Sequence, residues 1–339
     1  MGISPKRYLL VVWLVIGLFT VRVQAGSTVI GHASLAAATN PPPAISAKVG
    51  QLRWFFTHAS VGGNLVDGMD TLNAEDAMRF PLRIYGYIGT EGSEGGADYR
   101  AAADPASTSN GVVYDCMRGN PGWVNKLVCF SNSVVQSGWR FPKVNVVMDK
   151  FCWIDPDADP AVYCLLMSNL EARFPKTLFV YMTMPLTTET AGSDNDARND
   201  FNRYVRGFCA TGEKWLLDIA DIEAWTEAGV QQTYISSGVT NQRMVSAYAD
   251  DPGGDYHLNA TGRRRGALGW HALAQTLFQA DRDGDGVHDG DELIAGTAAA
   301  DSNDCLRLHL DSETGPEQQV LGWSGASNRW YAIQETTSL

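Results

Sequence analysis

The sequence predicts an α/β protein built on a parallel β-sheet with helices on both faces. From Leu52 onwards, short apolar strands alternate with longer segments of helical spacing, and such alternation favours parallel βαβ units. Polar, glycine-containing turns follow the strands, and ligands of these sheets bind at the carboxyl ends of the strands. The 339 residues, 45% of them hydrophobic, are enough for one large core and a smaller additional part.

The predicted elements run from residue 52 to residue 279. Strands are predicted at 52–56, 82–87, 144–148, 178–183 and 215–219. Helices are predicted at 65–72, 161–174, 196–209 and 262–279. The glycine-rich, acidic stretch 89–111 is predicted to be a loop. These elements define a domain over residues 51–280.

Three segments flank this domain. Residues 26–50 are rich in Ala, Thr and Pro, which predicts an arm without a core of its own. Residues 281–304 are dense in Asp and Gly, and residues 305–339 contain short apolar runs separated by turn residues. We therefore predict a linker followed by a short β segment.

The first 25 residues have the pattern of a secretory signal peptide. Lys6 and Arg7 form a charged start, residues 8–20 are apolar, and Ala25 is a small residue at the expected cleavage site. We predict a secreted or periplasmic protein with no membrane contact after cleavage, because the apolar run is too short to span a bilayer comfortably. An uncleaved anchor helix is the alternative.

The overall charge disfavours a nucleic-acid partner. The formal net charge is −12, whereas binding to phosphates needs clustered Lys and Arg. Six cysteines follow the predicted signal, and an even number in an exported chain permits disulfides. We predict Cys116–Cys129 as a pair, whereas Cys152 is predicted to be a small buried hydrophobe.

Residues 281–292 match a twelve-residue calcium loop of EF-hand type. Ca²⁺ prefers six to eight oxygen ligands, a glycine at position six and a glutamate at position twelve. Gly286 occupies position six, and the following residues resemble the tails of thrombospondin type-3-like calcium repeats. The alternative is an acidic solvated linker, but the spacing favours a structural Ca²⁺ site. The predicted ligands are Asp281, Asp283, Asp285, the Val287 carbonyl, Asp289 and Glu292.

A serine lies where the first strand meets its helix, in the stretch 57–64. Ser60 has an ordinary structural interpretation, because serine is a favoured helix N-cap. Gly62 and Gly63 leave room for a ligand to approach the backbone. Asn64 offers a side-chain amide suited to an oxyanion hole. We therefore predict Ser60 to be a nucleophile.

A histidine with neighbouring carboxylates stands near the end of the domain. His257 lies in a polar loop and suits a general base. Serine, histidine and a carboxylate on separate loops are the components of an acyl-transfer site.

Several blocks of the sequence together resemble one family. The stretch 57–64 resembles the first block of an SGNH (GDSL-like) hydrolase subgroup with the pattern His-x-Ser-Val-Gly-x-Asn. Further blocks at 150–155, 183–186, 217–223 and 255–262 resemble its later segments. The resemblance covers about residues 52–279.

The resemblance implies a three-layer α/β/α sandwich with Ser60 as nucleophile and His257 as base. It implies oxyanion donors from the Ser60 backbone, from a glycine after the second strand, and from a side chain near the third. Gly89 is the candidate glycine, and Asn64 and Lys150 are the candidate side chains.

Two positions depart from the family pattern. The family commonly places Asp three residues before the histidine, where this chain has Gly254. Asp255 is the predicted acid and Asp251 the other candidate. The family's Gly-x-Asn-Asp block is also missing, and Lys150, Asp149 or Cys152 stands in its place.

We therefore predict a secreted serine esterase or deacylase that acts on a small-molecule or polysaccharide ester, with acylated carbohydrate as a candidate substrate. Catalysis needs no cofactor in this account, and calcium is structural. The alternative is a non-catalytic, calcium-stabilised surface or glycan-binding protein on an SGNH-like scaffold.

Overall fold

The computed structural model of the protein describes residues 28–85, 111–136 and 144–305, together with the backbone of 308–311 and 320–323. The predicted signal peptide lies outside the described residues. So do residues 89–110 of the predicted loop. Within the described residues, no helix combines the length and apolar character needed to span a bilayer.

A seven-stranded sheet forms the centre of the described structure, in the order β1-β7-β6-β5-β2-β4-β3. Every pairing between its neighbouring strands is parallel. This confirms the predicted parallel sheet. Its strands are β1 (Val29–Ile30), β2 (Arg53–His58), β3 (Arg83–Tyr85), β4 (Val112–Met117), β5 (Val146–Asp149), β6 (Leu178–Met182) and β7 (Leu216–Leu217).

Helices cover both faces of this sheet. Along β2, successive side chains point to opposite faces: Trp54 and Phe56 belong to one buried cluster and Phe55 to the other. The first cluster includes residues of α1, α3 and α8, and the second includes residues of α4, α5 and α6. The predicted α/β/α layering is therefore present. The helices are α1 (Leu35–Ala38), α2 (Pro43–Val49), α3 (Val61–Glu75), α4 (Trp123–Gln136), α5 (Pro160–Arg173), α6 (Asn195–Thr211), α7 (Ile219–Ala224), α8 (Ala260–Thr276) and α9 (Asp289–Ala295).

The stretch that we predicted as an arm shares the core of the domain. Its β1 pairs with β7 at one edge of the sheet, and Ile30, Leu35 and Val49 belong to the main buried cluster. Burial of these side chains removes apolar surface from water. The arm is therefore part of the folded unit.

Several elements were not predicted from the sequence. These are β4, α4 and the two antiparallel hairpins β8 (Thr233–Ser236) with β9 (Val239–Gln242), and β10 (Ala249–Asp251) with β11 (Asp255–Leu258). The predicted Cys116–Cys129 disulfide was wrong, because both residues are buried thiols in the structure.

The C-terminal part contains a third hairpin. Strand β12 (Leu308–Asp311) pairs antiparallel with β13 (Val320–Trp323), which agrees with two of the short strands that we predicted there. The last of the short apolar runs in this predicted β segment, at 329–333, lies outside the described residues.

Candidate active site

Ser60 occupies a strained turn between β2 and α3. Its backbone has φ 53° and ψ −112°, and such a positive φ is uncommon for a residue other than glycine. Ser60 stands at the N-cap position of α3, yet its side chain makes no capping hydrogen bond. The N-cap interpretation therefore does not account for this serine, and backbone strain of this kind is concentrated at functional sites.

The Ser60 hydroxyl contacts the imidazole of His257. Ser60 Oγ is hydrogen-bonded to His257 Nε2, although the two residues are 197 positions apart in sequence. His257 lies on β11, which the hairpin with β10 holds beside the start of α3. The fold thus brings together the predicted nucleophile and the predicted base.

The carboxylate that contacts the base is Asp255. Its Oδ1 is hydrogen-bonded to His257 Nδ1 and also accepts a hydrogen bond from the His257 backbone N–H at 3.1 Å. These hydrogen bonds lower the pKa of Asp255, so the group remains a carboxylate that accepts from the imidazole. Asp251, the other candidate, accepts from the Gly253 N–H at 2.9 Å within its own turn.

Asn64 holds the strand that carries His257. Its Oδ1 accepts a hydrogen bond from the Leu258 N–H at 2.9 Å, and Leu258 directly follows His257. Asn64 is 7% exposed. This contact positions β11 against α3, whereas the sequence led us to expect the Asn64 amide as an oxyanion donor.

Asp149, Lys150 and Cys152 stand where the family pattern has its Asn block, and all three are buried. Asp149 is buried and accepts from Thr57 Oγ1 at 2.6 Å and from Arg118 Nη2 at 2.8 Å. Lys150 is fully buried and donates to the Phe151 carbonyl at 2.7 Å. The Lys150 ammonium is thus directed at a backbone carbonyl, and its oxyanion role stays a prediction.

Gly89, the predicted oxyanion glycine, lies outside the described residues. The strand directly beside β2 on this side of the sheet is β4, and Gly119 follows it. Gly119 has a φ of +73°, and the neighbouring Arg118 N–H donates to the His58 carbonyl at 2.9 Å. Sequence reasoning missed Gly119 because it missed β4.

A second histidine–carboxylate pair lies behind the Ser60 turn. His58 Nε2 is hydrogen-bonded to Asp115 Oδ1, and the His58 ring stacks on Phe56 with centroids 4.7 Å apart. A Cβ on Gly62 would lie 2.3 Å from His58 Cβ. Gly62 therefore provides room for His58, whereas a Cβ on Gly63 would meet no atom closer than 3.9 Å.

Aromatic side chains border His257. The Trp153 ring is edge-on to His257, with centroids 6.4 Å apart, and edge-on to Tyr256 at 5.4 Å. The Trp153 carbonyl accepts from Arg198 Nε at 2.6 Å, and Arg198 Nη1 in turn contacts Glu189 at 3.1 Å.

The acidic loop at 281–292 has features that fit a cation. Asp281, Asp283 and Asp285 each offer a carboxylate oxygen within 4.8 Å of the others. Buried oxygens of Asp283, Asp285 and Glu292 have no hydrogen-bond partner among the described residues. Burial, together with the neighbouring carboxylates, raises the pKa of Glu292 to about 8. Such buried, mutually repelling oxygens match the hard ligands that Ca²⁺ prefers.

Asp289, another predicted calcium ligand, is fully buried with different partners. Its Oδ1 accepts from the Arg282 N–H at 3.0 Å, and its Oδ2 accepts from Trp215 Nε1 at 3.1 Å and from Arg282 Nε. These contacts fasten the loop to the residue that precedes β7. Asp289 does not belong to the group formed by Asp281, Asp283 and Asp285.

Comparisons with known proteins give remote structural likenesses only. No protein-family model and no curated protein matches the chain. Three solved structures that resemble it each have a TM-score of 0.39. One is described as belonging to the G-D-S-L family of lipolytic proteins, from Desulfitobacterium hafniense (7% identity, covering 65% of this chain and 98% of that one). Another is a GDSL-like lipase from Bacteroides thetaiotaomicron (9% identity, covering 71% of this chain and 94% of that one). The third is described as an SGNH hydrolase from Slackia heliotrinireducens (13% identity, covering 65% of this chain and 97% of that one).

Proposed function

We propose that this protein is a secreted serine esterase or deacylase with Ser60 as nucleophile, His257 as general base and Asp255 as the acid that orients the imidazole. The observation that supports this most strongly is the chain of contacts from Ser60 Oγ to His257 Nε2 and from His257 Nδ1 to Asp255. A nucleophile within hydrogen-bonding reach of a base, which a third group orients, is the arrangement that nucleophilic catalysis requires.

In this proposal, ester hydrolysis proceeds in two displacements. Ser60 Oγ attacks the carbonyl carbon while His257 Nε2 takes the hydroxyl proton, and the alcohol leaves with that proton. His257 then takes a proton from a water molecule that attacks the acyl-serine, and it returns this proton to Ser60 Oγ as the bond between the acyl carbon and Oγ breaks and the carboxylic acid leaves. The Ser60 N–H and a glycine amide, from Gly89 or Gly119, are our candidate donors to the oxyanion.

Hydrolysis of p-nitrophenyl acetate tests this proposal. We expect turnover by the wild type and a loss of about a thousandfold or more in kcat for Ser60→Ala and for His257→Ala, as for other serine–histidine sites. Thermal unfolding verifies that both variants fold. Wild-type protein that is folded but inactive on a series of acyl esters would favour the alternative of a non-catalytic surface or glycan-binding protein.

We further propose that the loop at 281–292 binds Ca²⁺ as a structural ion. Carboxylates of Asp281, Asp283, Asp285 and Glu292 and the Val287 carbonyl would hold it, and the ion would neutralise their mutual repulsion. The loop packs at the amino ends of β5 and β7, where Asn145 Nδ2 donates to the Leu293 carbonyl at 2.6 Å. Ser60 lies at the carboxyl end of β2, on the opposite side of the sheet from these amino ends. We therefore propose that the ion takes no part in the chemistry.

The substrate side of the proposal rests on the sequence. An exported chain with a calcium loop and a trailing β segment is consistent with an enzyme that acts on an acylated polysaccharide or a small ester outside the cytoplasm. We propose no nucleic-acid or membrane partner, because the net charge of −12 gives the chain no general attraction for polyanions.

A further inference from the structure

A buried ion pair joins the carboxyl ends of the two strands that flank β2. Arg118 directly follows β4, and Asp149 is the last residue of β5. Asp149 Oδ1 accepts from Arg118 Nη2 at 2.8 Å and from Arg118 Nε at 3.1 Å. The same oxygen accepts from Thr57 Oγ1 on β2 at 2.6 Å. These fully buried contacts tie together the ends of three neighbouring strands, three residues before Ser60.

The Arg118 guanidinium also holds two backbone carbonyls. Its Nη2 donates to the Lys150 carbonyl at 2.7 Å, and its Nη1 donates to the Gly119 carbonyl at 3.3 Å. A guanidinium carries five N–H donors in a rigid planar fork, so one side chain can hold several acceptors in fixed relative positions. Arg118 therefore fixes the segment that follows β4 relative to the segment that ends β5.

The Gly119 amide lies between two groups that are held in this way. On one side the Arg118 N–H donates to the His58 carbonyl at 2.9 Å, and on the other the Gly119 carbonyl accepts from Arg118 Nη1. Gly119 is buried, yet its N–H has no hydrogen-bond partner among the described residues, and neither has the Ser60 N–H. Buried N–H groups without a partner are rare in proteins, whereas an oxyanion hole requires N–H donors that are fixed and free.

We propose that Arg118, held by Asp149, is a positioning residue that fixes the Gly119 N–H as a donor to the oxyanion, together with the Ser60 N–H. The inference rests on the proposed esterase function, because the oxyanion forms only when Ser60 Oγ bonds to the ester carbonyl carbon. The π electron pair of the carbonyl then moves to its oxygen, which becomes the acceptor. Since this charge is absent from the bound ester, Arg118 acts on kcat and leaves KM unchanged.

Arg118→Lys tests this role. Lysine retains the positive charge beside Asp149, but its compact ammonium cannot hold Asp149 and both carbonyls in the same geometry. We expect kcat and kcat/KM for p-nitrophenyl acetate to fall together by about tenfold to a hundredfold, with KM within about twofold of wild type. Rates are expressed per active site, titrated with excess fluorophosphonate, so that unfolded protein does not contribute.

Arg206→Lys is the matched control. Arg206 makes a similar ion pair with Asp218, the residue that directly follows β7, at 2.6 Å and 2.8 Å. This variant should lose stability in urea unfolding and keep its kcat per titrated site within about twofold of wild type. An unchanged kcat in Arg118→Lys, or equal losses of kcat in the two variants, would overturn the inference.

Thr57→Val decides the matter if Arg118→Lys does not fold. The change removes one donor to Asp149 while nearly retaining the shape of the side chain, so we expect kcat per titrated site to fall about fivefold at unchanged KM, the value of one modest hydrogen bond. With Arg118→Lys unfolded, a full kcat in Thr57→Val would overturn the inference. An active wild type with unaffected variants would contradict the role of Arg118 alone. A folded wild type that neither hydrolyses acyl esters nor reacts with the fluorophosphonate would instead refute the esterase proposal, and the role of Arg118 with it.

Discussion

At the scale of single residues, the decisive feature is that the Ser60 side chain makes no cap for the helix that it begins. Serine commonly offers its oxygen to the first N–H groups of a helix, and here that oxygen contacts His257 instead. A residue with positive φ costs about 1–3 kcal/mol. We interpret this cost as the consequence of directing the hydroxyl away from α3 and toward His257.

Asp255 should be the carboxylate on which the base depends. We expect Asp255→Asn to lower kcat/KM for p-nitrophenyl acetate by about a hundredfold, because the amide no longer holds the imidazole in the required tautomer. The exposed position of Asp255 makes the loss smaller than for a fully buried acid. Asp251→Asn is the matched control and should stay within about twofold of wild type. A larger loss in the control than in Asp255→Asn would transfer the role to Asp251.

Asn64 should stabilise the loop that carries His257. Asn64→Ala leaves the Leu258 N–H without its acceptor, and a buried unsatisfied donor costs about 1–3 kcal/mol in the free energy of unfolding. Asn64→Asp retains an acceptor oxygen and should lose less. Urea unfolding measures both variants, and equal stability of Asn64→Ala and wild type would contradict this role.

At the scale of elements, the turn between β2 and α3 depends on close packing against His58. A Cβ on Gly62 would overlap His58, whereas one on Gly63 would make only ordinary van der Waals contact, at 3.9 Å or more. We expect Gly62→Ala to lower the free energy of unfolding by about 1–3 kcal/mol through overpacking. Gly63→Ala, the matched control, should be neutral or stabilising by up to about 1 kcal/mol, because alanine favours a helix. Urea unfolding measures the stability of both variants. A larger loss of stability in Gly63→Ala than in Gly62→Ala would refute the packing argument.

The sequence allowed prediction of those elements whose hydrophobic pattern is continuous. The strands β2, β5 and β6 and the helix α8 were anticipated within a few residues, and so was Ser60 at the carboxyl end of β2. Strand β4 was missed because Asp115 interrupts its apolar run, and the structure explains that residue by its contact with His58.

The remaining parts of the site depend on contacts between residues that are far apart in sequence. Asn64 meets Leu258 across 194 positions, and no local pattern indicates which atom of the amide is used. The choice between Asp255 and Asp251 likewise required the geometry of the β10–β11 hairpin, since neither residue stands at the position three before His257 where the family pattern has its acid.

At the scale of the whole molecule, the proposed calcium loop contacts the sheet at the amino ends of its strands, whereas Ser60 lies at the carboxyl end of β2. Asp289 contacts Trp215 before β7, and Asn145 before β5 contacts Leu293. A bound ion would therefore stabilise the fold by mass action, because the unfolded chain has no such site. The chemistry at Ser60 would be preserved as long as the domain stays folded.

Removal of calcium should lower stability and spare activity. We expect a chelator to lower the Tm by several degrees, since about 1 kcal/mol corresponds to about 2–4 °C in a domain of this size. Glu292→Gln should lower the Tm in calcium buffer and respond less to the chelator than wild type. Asp157→Asn, an exposed acid outside the loop, is the control. A Tm that the chelator leaves unchanged in wild type would count against the site.

The most direct test of the central claim is covalent labelling of the whole protein with a fluorophosphonate, followed by mass spectrometry of the intact chain and of its peptides. The account predicts one adduct per chain, located on Ser60, with labelling lost in Ser60→Ala and strongly slowed in His257→Ala. Equal labelling of Ser60→Ala and wild type, or an adduct on another serine, would contradict it.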